Sequence, residues 1–397
     1  MKNPTSSQLA LLRARAAQIE GSLPPLTRDP NGLFDAAGSE AFSREARRIL
    51  RRERAVGASV ILLFPDGQTQ SFHFGHARLS PNIPVGKNTC FRIASVSKLV
   101  MTFGALSLCA DGLLDLDQDI SFYLGYSVRH PQHPEQPVTL RMLLTHTSSI
   151  RDEGNYGTRG METGCTLREL LESPLNWLPS APGSEFHYSN LGAGVAGVVM
   201  ECAANQPFEA IMQERVFGKL AVRASYDPAR ITPADDLADG YSVRSFLPPK
   251  RKYDAARLTK KLPQGFEPET DYLIAAGRMI TDCEGMGALL RLLASQEDTP
   301  VLTKEHLSLM RAPQDGQHGV CAMLRGLNTA YLPDVFSGFS PIGHQGVAYG
   351  MCAELFADPK TGCGVGVMTS GMRLVPCPPL MRGGFDLLAL GFSALHN

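Results

Sequence analysis

Ser95-Val96-Ser97-Lys98 opens an apolar stretch that continues to Cys109. Apolar residues recur there at near-helical spacing, and Asp111-Gly112 is a stop signal, so the pattern predicts a helix. In a helix, residues three apart share one face, which brings the Ser95 hydroxyl close to the Lys98 amine. A serine hydroxyl is a poor nucleophile until a neighbour takes its proton, and Lys98 could take that proton or tune the group that does.

The predicted position of these two residues, in the first helical turn, adds an electrostatic argument. Free backbone N–H groups and the helix dipole favour negative charge developing on Ser95. The same field should lower the pKa of Lys98. A Ser-x-x-Lys motif is expected about once by chance in a chain this long, so the motif needs partners before it predicts a function.

Composition and charge narrow the class of protein. The chain has 397 residues, of which 43% are hydrophobic and 19% charged, with a formal net charge of -1. This predicts a globular protein with a large core, divided between two lobes. A near-neutral chain is not expected to bind nucleic acid. The basic run Arg44–Arg54 includes apolar residues and indicates the solvated face of a helix.

The N-terminal residues and the cysteines bear on location and cofactors. Residues 1–5 carry no apolar signal-peptide core, and residues 8–20 have the mixed character of an amphipathic helix. No stretch approaches the roughly 18 apolar residues that span a bilayer. The nine cysteines include no C-x-x-C pair, which predicts reduced thiols without a metal cluster. We expect a cytoplasmic protein with no membrane association, metal or cofactor.

Strand patterns lie at the two ends of a helical middle. We expect a helical extension over residues 1–40 and one domain over 41–397. An antiparallel sheet lobe would take about 41–98 and 335–397, and a mainly helical lobe about 99–334. This is an α+β fold whose cleft between lobes is the expected place for chemistry. The predicted elements are strands Val56–Phe64, Thr69–Phe74, Ala348–Phe356 and Cys363–Thr369, and helices Leu167–Leu171, Ala193–Ala203, Met286–Ser295 and Leu380–Leu395.

Two further segments supply partners for Ser95 and Lys98. Tyr188 and Asn190 are two residues apart in a segment with an extended or loop pattern, so their side chains point the same way. Gly343-His344-Gln345-Gly346 opens a strand, and its glycines suggest the close approach of a ligand backbone. A nucleophile with its lysine, a second proton-handling group and a strand edge together match a known pattern of serine hydrolases.

These phrases resemble the class C β-lactamase family, which also includes D-alanyl-D-alanine carboxypeptidases, D-aminopeptidases and esterases. The resemblance runs from about Phe42 to the C-terminus. It rests on Phe91–Lys98, Leu143-Leu144-Thr145-His146-Thr147-Ser148-Ser149, Tyr188-Ser189-Asn190 and Gly343–Gly346. It implies a β-lactamase/transpeptidase-like fold and an acyl-enzyme on a serine.

The resemblance also implies roles for individual residues. Ser95 is the nucleophile, and either Lys98 or Tyr188 accepts its proton. Asn190 orients Lys98 and the substrate. The backbone N–H groups of Ser95 and of Val347, which follows Gly346, hold the oxyanion. His344 contacts a substrate carboxylate or supports Tyr188.

Lys360-Thr361-Gly362 spells the usual third motif of this family, but it follows Asp358-Pro359 and is typical of a hairpin tip. Placing the motif at His344 leaves two strands and a closing helix to complete the sheet lobe. We therefore assign the third motif to His344. Histidine is found there more often in peptidases and esterases than in β-lactamases, so the resemblance favours substrates other than β-lactams.

Other patterns are interpreted as structural. Gly192–Gly197 fits G-x-G-x-x-G but lacks the strand before it and the acidic residue after it, so we expect close helix packing. His130-Pro131-Gln132-His133 lies in a proline-rich loop and is not expected to bind zinc. Asn155, Tyr156 and Trp177 either line the cleft or cap the helical lobe.

The sequence therefore predicts a serine hydrolase that cleaves an ester or amide bond in a small-molecule or peptide-like substrate. Two alternatives remain: transfer of the acyl group to an alcohol or amine, and a non-catalytic penicillin-binding or scaffold protein. A scaffold would have no physical need for Ser95, Lys98, Tyr188 and Asn190 together. The oligomeric state is left open.

Overall fold

The computed structural model describes residues 6–153, 165–244, 247–254, 269, 271–313 and 325–396. The helices are α1 (Ser6–Ser22), α2 (Ala36–Glu53), α3 (Val96–Ala110), α4 (Ile120–Leu124), α5 (Leu140–Leu144), α6 (Leu167–Glu172), α7 (Asn190–Ala204), α8 (Phe208–Met212), α9 (Gly218–Leu220), α10 (Ile274–Gly277), α11 (Cys283–Ala294), α12 (Lys304–Arg311) and α13 (Arg382–His396). Asn155 and Tyr156 lie outside the described residues.

The strands are β1 (Gly57–Leu63), β2 (Thr69–Leu79), β3 (Asn82–Pro84), β4 (Phe91–Arg92), β5 (Ala224–Ser225), β6 (Gly240–Ser242), β7 (Lys250–Tyr253), β8 (Ile280–Thr281), β9 (Arg325–Gly326), β10 (Thr329–Tyr331), β11 (Ile342–Ala348), β12 (Met351–Ala357), β13 (Gly364–Ser370), β14 (Pro376–Cys377) and β15 (Leu380–Met381). Eight of them form the main antiparallel sheet, in the order β3-β2-β1-β13-β12-β11-β10-β9. The chain thus builds one sheet from segments near its two ends, as the α+β prediction required.

The two faces of the main sheet pack against different helices. On β1, Val60 and Leu62 belong to the apolar layer shared with α2 and α13. Ile61 and Leu63 point to the other face, into the core of the helical region that contains α3 and α7. Because side chains alternate along a strand, burial of both faces explains why β1 is a continuous apolar run. Among the described residues no helix is both long and apolar enough to cross a membrane.

The predicted strand Ala348–Phe356 is interrupted and the prediction was wrong at that point. β11 ends at Ala348, and β12 begins at Met351. Tyr349 and Gly350 both have positive φ, of 51° and 83°, and form a two-residue hairpin turn. The apolar pattern continues through the turn, which hid it, since Tyr349 is not a usual residue for such a backbone conformation. The other predicted strands and helices are present with ends shifted by a few residues.

The Asp358–Gly362 segment connects β12 to β13, and Lys360 on it is exposed. The carboxylate of Asp358 accepts a hydrogen bond from the Lys360 backbone N–H, and Gly362 has a φ of 75°. These are the properties of a hairpin tip. Lys360-Thr361-Gly362 is therefore a turn, which is consistent with assigning the third motif to His344 on β11.

The glycines of α7 provide close packing. A Cβ on Gly194 would lie 2.2 Å from the Tyr272 carbonyl oxygen, and a Cβ on Gly197 would lie 2.7 Å from the Ala275 Cβ. The helix therefore approaches the segment around α10 more closely than any side chain would allow. This arrangement confirms that the G-x-G-x-x-G pattern serves packing, and it holds α10 in the position that the site requires.

We predict that Gly194→Ala lowers the free energy of unfolding by about 1–3 kcal/mol, because the new methyl group overlaps backbone that cannot move away easily. Gly192→Ala in the same helix is the matched control. Its Cβ would have its nearest neighbour at 3.4 Å, so we expect no loss and a gain of up to about 1 kcal/mol from helix propensity. Urea unfolding followed by circular dichroism measures both, and equal effects of the two variants would contradict the packing argument.

Candidate active site

The backbone before α3 places Ser95 at a sharp turn at the start of the helix. β4 leads into Ala94, which has a φ of 47°, and α3 begins one residue after Ser95. A non-glycine residue in the left-handed region is uncommon and costs about 1–3 kcal/mol. This sharp strand-to-helix turn leaves Ser95 partly exposed, whereas Val96 to Leu108 are buried. A helix that is buried on all sides is a rigid support for the residue at its start.

Lys98 is the centre of the site. Its side chain has no solvent exposure, and its Nζ donates hydrogen bonds to three oxygens: Ser95 Oγ at 3.2 Å, Asn190 Oδ1 at 2.8 Å and the Ala276 carbonyl at 2.5 Å. The Tyr188 ring lies against the same amine, with its centroid 5.1 Å from Nζ. The structure thus brings together the Ser95, Lys98, Tyr188 and Asn190 that the sequence singled out.

Burial lowers the pKa of Lys98 from its usual 10.5 to about 7. The Asp152 carboxylate opposes this effect, and the Arg92 guanidinium adds to it. The predicted direction was correct, but the main cause is removal of the amine from water rather than the helix dipole. An amine with this pKa is neutral in a large fraction of molecules at pH 7, so it can accept a proton from the serine hydroxyl that it contacts.

Tyr188 is held between two histidine rings. The centroid of the His146 ring lies 4.5 Å from that of the Tyr188 ring, and the centroid of the His344 ring, on β11, lies 6.2 Å from it. His146 Nδ1 also accepts a hydrogen bond from the Ser189 backbone N–H at 3.3 Å. His344 Nδ1 donates to the Gln345 carbonyl at 2.6 Å, because a carbonyl oxygen can only accept. A neutral His344 ring therefore keeps Nε2 as an acceptor.

The segment Gly346-Val347 of β11 runs beside the nucleophile. A Cβ on Gly346 would lie 2.8 Å from the Ser95 nitrogen, so any side chain there would fill the space next to that N–H. Ala348 and Met351 are opposite each other across the two-residue turn. The pair that closes such a turn is hydrogen-bonded, and hydrogen-bonded pairs alternate with non-hydrogen-bonded pairs along an antiparallel ladder. The N–H of Val347 is consequently directed away from β12. Strand β10 lies along the opposite edge of β11, and in the described register it pairs only with Ile342 and Gly343.

Asp152 is a member of the site that the sequence analysis missed. One carboxylate oxygen accepts hydrogen bonds from Asn190 N and Asn190 Nδ2, at 3.0 and 2.8 Å. The other accepts from Ser189 Oγ and Leu191 N, both at 2.9 Å. Because Nδ2 of Asn190 faces Asp152, its Oδ1 must face Lys98. Asp152 also satisfies N–H groups at the start of α7, where a negative charge is favourable.

Arg92 and the carbonyl groups of α10 were missed as well. Arg92 Nε donates to the Gly277 carbonyl at 2.7 Å, and its guanidinium lies 4.7 Å from the Tyr349 ring centroid. Gly277 follows Ala276, so one short helix supplies acceptors to both Arg92 and Lys98. Backbone acceptors leave no signal in a sequence. Asp152, in contrast, lies three residues beyond the Leu143–Ser149 motif and could have been found there.

His130, which was considered as a metal ligand, and Trp177, which was considered as a cleft residue, both make hydrogen bonds within the protein. His130 Nε2 donates to the Leu178 carbonyl at 2.6 Å, and its Nδ1 accepts from Gln132 N at 3.0 Å. Both ring nitrogens are therefore used by the protein. In the described ranges, no group of three or more His, Cys, Asp or Glu side chains is arranged to hold a metal. Trp177 is buried in the helical core, where its indole donates to the Leu171 carbonyl at 2.8 Å.

The fold and the site define a family. The family model "Beta-lactamase" matches residues 42–381, which agrees with the resemblance seen from Phe42 onward. This chain belongs to the beta-lactamase family.

Two curated relatives and one solved structure illustrate the similarity. Esterase EstB of Burkholderia gladioli is 34% identical over 210 residues, which cover 49% of this chain and 53% of EstB. The D-alanyl-D-alanine-carboxypeptidase/endopeptidase AmpH of Escherichia coli strain K12 is 28% identical over 197 residues, or 48% and 50% of the two chains. The matched part thus spans about half the length of these relatives.

The crystal structure of a beta-lactamase/D-alanine carboxypeptidase from Pseudomonas syringae superposes with a TM-score of 0.68. The superposition covers 91% of this chain and 99% of that protein, at 18% sequence identity. At this level of identity the likeness shows the fold, which is the β-lactamase/transpeptidase-like fold expected from the sequence.

We predict that Asp152→Asn slows covalent labelling of Ser95 by a fluorophosphonate about ten- to a hundredfold at pH 7. Hydrogen bonds to a charged group contribute about 1.5–3 kcal/mol, and 1.4 kcal/mol corresponds to a factor of ten. Loss of the negative charge should also move the pH midpoint of labelling lower, because Asp152 raises the pKa of Lys98. The exposed neighbour Glu153→Gln is the matched control. An unchanged midpoint in Asp152→Asn would contradict the electrostatic role.

Proposed function

We propose that this chain is a serine hydrolase that cleaves an ester or amide bond through an acyl-enzyme on Ser95. The observation that carries the proposal is the buried Lys98 amine, with its pKa near 7 and its Nζ 3.2 Å from Ser95 Oγ. A poised base in contact with an alcohol is the arrangement that creates a nucleophile. A scaffold protein would gain nothing from burying a lysine beside a partly exposed serine.

In the proposed reaction, Ser95 Oγ attacks the substrate carbonyl carbon while its proton passes to Lys98 Nζ. The N–H groups of Ser95 and Val347 hold the resulting oxyanion, which is a role for preorganised donors. The tetrahedral intermediate then releases an alcohol or amine, which takes a proton from the site. In a second step water attacks the acyl-Ser95 ester and gives a proton to Lys98. The bond between the acyl carbon and Ser95 Oγ then breaks, the carboxylic acid leaves, and Oγ takes up the proton to restore the serine hydroxyl.

The geometry supports Lys98 rather than Tyr188 as the group that accepts the proton from Ser95. Lys98 contacts Ser95 directly, and Asn190 Oδ1 and the Ala276 carbonyl orient the amine. Tyr188 lies against Lys98 and His344, where its hydroxyl is suited to pass a proton toward the leaving group. Asp152, through Asn190, is a positioning residue in this scheme.

We propose a small ester as the preferred substrate. The side chain that faces Tyr188 from β11 is an imidazole, so this strand supplies no ammonium for the carboxylate of a β-lactam or of a D-alanyl peptide. The relatedness to an esterase at 34% identity supports the same class. We also propose a cytoplasmic location, which is supported by the free thiol state of the eight described cysteines.

The substrate class is tested with nitrocefin, p-nitrophenyl esters and D-amino-acid amides. We expect turnover of short-chain esters, weak or no turnover of nitrocefin, and loss of activity with an adduct on Ser95 after fluorophosphonate treatment. Intact mass spectrometry detects that adduct, and Ser95→Ala should abolish both the adduct and the turnover. Undiminished turnover by Ser95→Ala would refute the proposal. Enhanced product with added alcohol would identify acyl transfer, and no adduct on the native chain would favour a scaffold.

The role of Lys98 is tested by the pH dependence of kcat/KM for an ester. Below the pKa of about 7 the amine is protonated and cannot accept the proton from Ser95, so kcat/KM should fall about tenfold for each further pH unit. Lys98→Ala should remove activity at every pH. Lys360→Ala, which changes an exposed turn lysine, is the matched control and should leave the profile unchanged. A flat profile between pH 5 and 8 would show that Lys98 is not the base.

A further inference from the structure

A buried carboxyl group lies on the reverse side of the sheet from Ser95. Gln345 of β11 and Glu354 of β12 are opposite each other in the strand register. They belong to the face that packs against α13, because His344 and Gly346, which alternate with Gln345, face the site. Gln345 Nε2 donates to Glu354 Oε1 at 2.5 Å, and the two residues are 2% and 0% exposed.

Glu354 is a buried acid with neutral partners. Its Oε1 accepts from Gln345 and, at 3.8 Å, from the Cys352 thiol, whereas Oε2 has no hydrogen-bond partner in the described part of the chain. Burial raises the pKa of Glu354 well above its usual value, which favours the protonated, uncharged form in the folded protein. An apolar side chain would fill this place at lower cost.

The surrounding helix is shaped to accept this acid. A Cβ on Gly384 of α13 would lie 2.0 Å from Glu354 Oε1, so only glycine leaves room for the carboxyl group. The buried carboxylates of α2 and α13 pair with arginines and not with Glu354: Asp386 with Arg15 and Arg52, and Glu53 with Arg52, Arg373 and Arg382. Gln345, Glu354 and Gly384 thus fit together on three elements.

The position of this pair gives it a consequence for the site. Beyond Gly343, the described register supports β11 on one side only, through β12. In this stretch the His344 side chain faces the nucleophile region, and the backbone N–H of Val347 is directed away from β12. A side-chain hydrogen bond across β11 and β12 at Gln345 resists peeling of this strand, and it adds to the Tyr349-Gly350 turn and the backbone ladder that set the register.

We infer that Gln345 and Glu354 are a positioning pair that holds β11 in the register in which the Val347 N–H can stabilise the oxyanion on an acylated Ser95. The inference rests on the proposed acyl-enzyme chemistry. The pair touches no substrate and acts through the strand. A buried polar contact that breaks a local packing rule is found where function requires it, and here it lies directly behind the site.

The test compares Glu354→Leu, Glu354→Gln, Gln345→Leu and the double leucine variant in ester hydrolysis. We expect Glu354→Leu and Gln345→Leu each to lower kcat about tenfold, with KM changed less than twofold, because the oxyanion is stabilised mainly in the transition state. The double variant should be no slower than either single variant. Glu354→Gln keeps an acceptor for Gln345 and should retain at least half of the native kcat.

Full kcat in Glu354→Leu would overturn the inference, since it would reduce the pair to ordinary core packing. If Glu354→Leu does not fold, the decision passes to Glu354→Gln. The unfolding free energy of Glu354→Gln should increase relative to that of the native chain as the pH rises above about 4.5. Above this pH, Glu354 of the native chain ionises when the chain unfolds but stays neutral in the folded state, which lowers the stability of the native chain alone. A pH-independent difference would mean that Glu354 is charged when folded, which overturns the neutral pair.

Failure of this inference can be told apart from failure of the proposed function. If the native chain forms no fluorophosphonate adduct on Ser95 and hydrolyses no ester, the acyl-enzyme proposal fails before the variants are compared. If the native chain is active and Glu354→Leu matches it, only the positioning pair is refuted.

Discussion

The burial of one amine organises this site. Lys98 has no solvent exposure, and an ammonium ion in such a place is costly unless it is well supplied with acceptors. The structure supplies three oxygens from three elements: Ser95 at the start of α3, Asn190 at the start of α7, and Ala276 in α10. Lys98 has all three of its acceptors only when α3, α7 and α10 are packed together. The glycines of α7 and the carboxylate of Asp152 are therefore part of the same arrangement as the nucleophile.

The sheet contributes to the site from both of its faces. On the face toward α3, β11 offers His344 and a glycine that lets the strand approach the Ser95 nitrogen. On the face toward α13, the paired side chains of Gln345 and Glu354 support the same strand from behind. Strand β11 is thus held by a side-chain hydrogen bond in addition to its one long backbone ladder. Precise placement matters because the donors of an oxyanion hole must lie within about 2.7–3.1 Å of the developing negative charge.

Much of the fold and of the site could be predicted because the informative residues carry side-chain chemistry at regular spacing. The Ser95 helix and the last helix follow from apolar periodicity, β1 and β2 from strand-like runs joined by the turn signal Pro65-Asp66-Gly67, and the Ser95–Lys98 spacing from helical geometry. The rest depends on contacts that sequence does not encode locally. The Ala276 carbonyl has no side chain to recognise, and the burial of Glu354 arises only when β11, β12 and α13 are packed together. Tyr349 concealed a turn because its type favours strands.

The two-residue turn at Tyr349-Gly350 has a consequence for how this family can vary. Side chains alternate between the two faces of a strand, so a change in the turn that shifted β11 by one residue in the sheet would exchange them. His344 would then point into the apolar layer beneath α13, and Gln345 would point toward Ser95. The length of this turn is therefore coupled to which residues of β11 face the site and which face α13. Substitutions on β11 can therefore change the side chains that face the substrate, whereas a change in turn length that shifts the strand would disrupt the site.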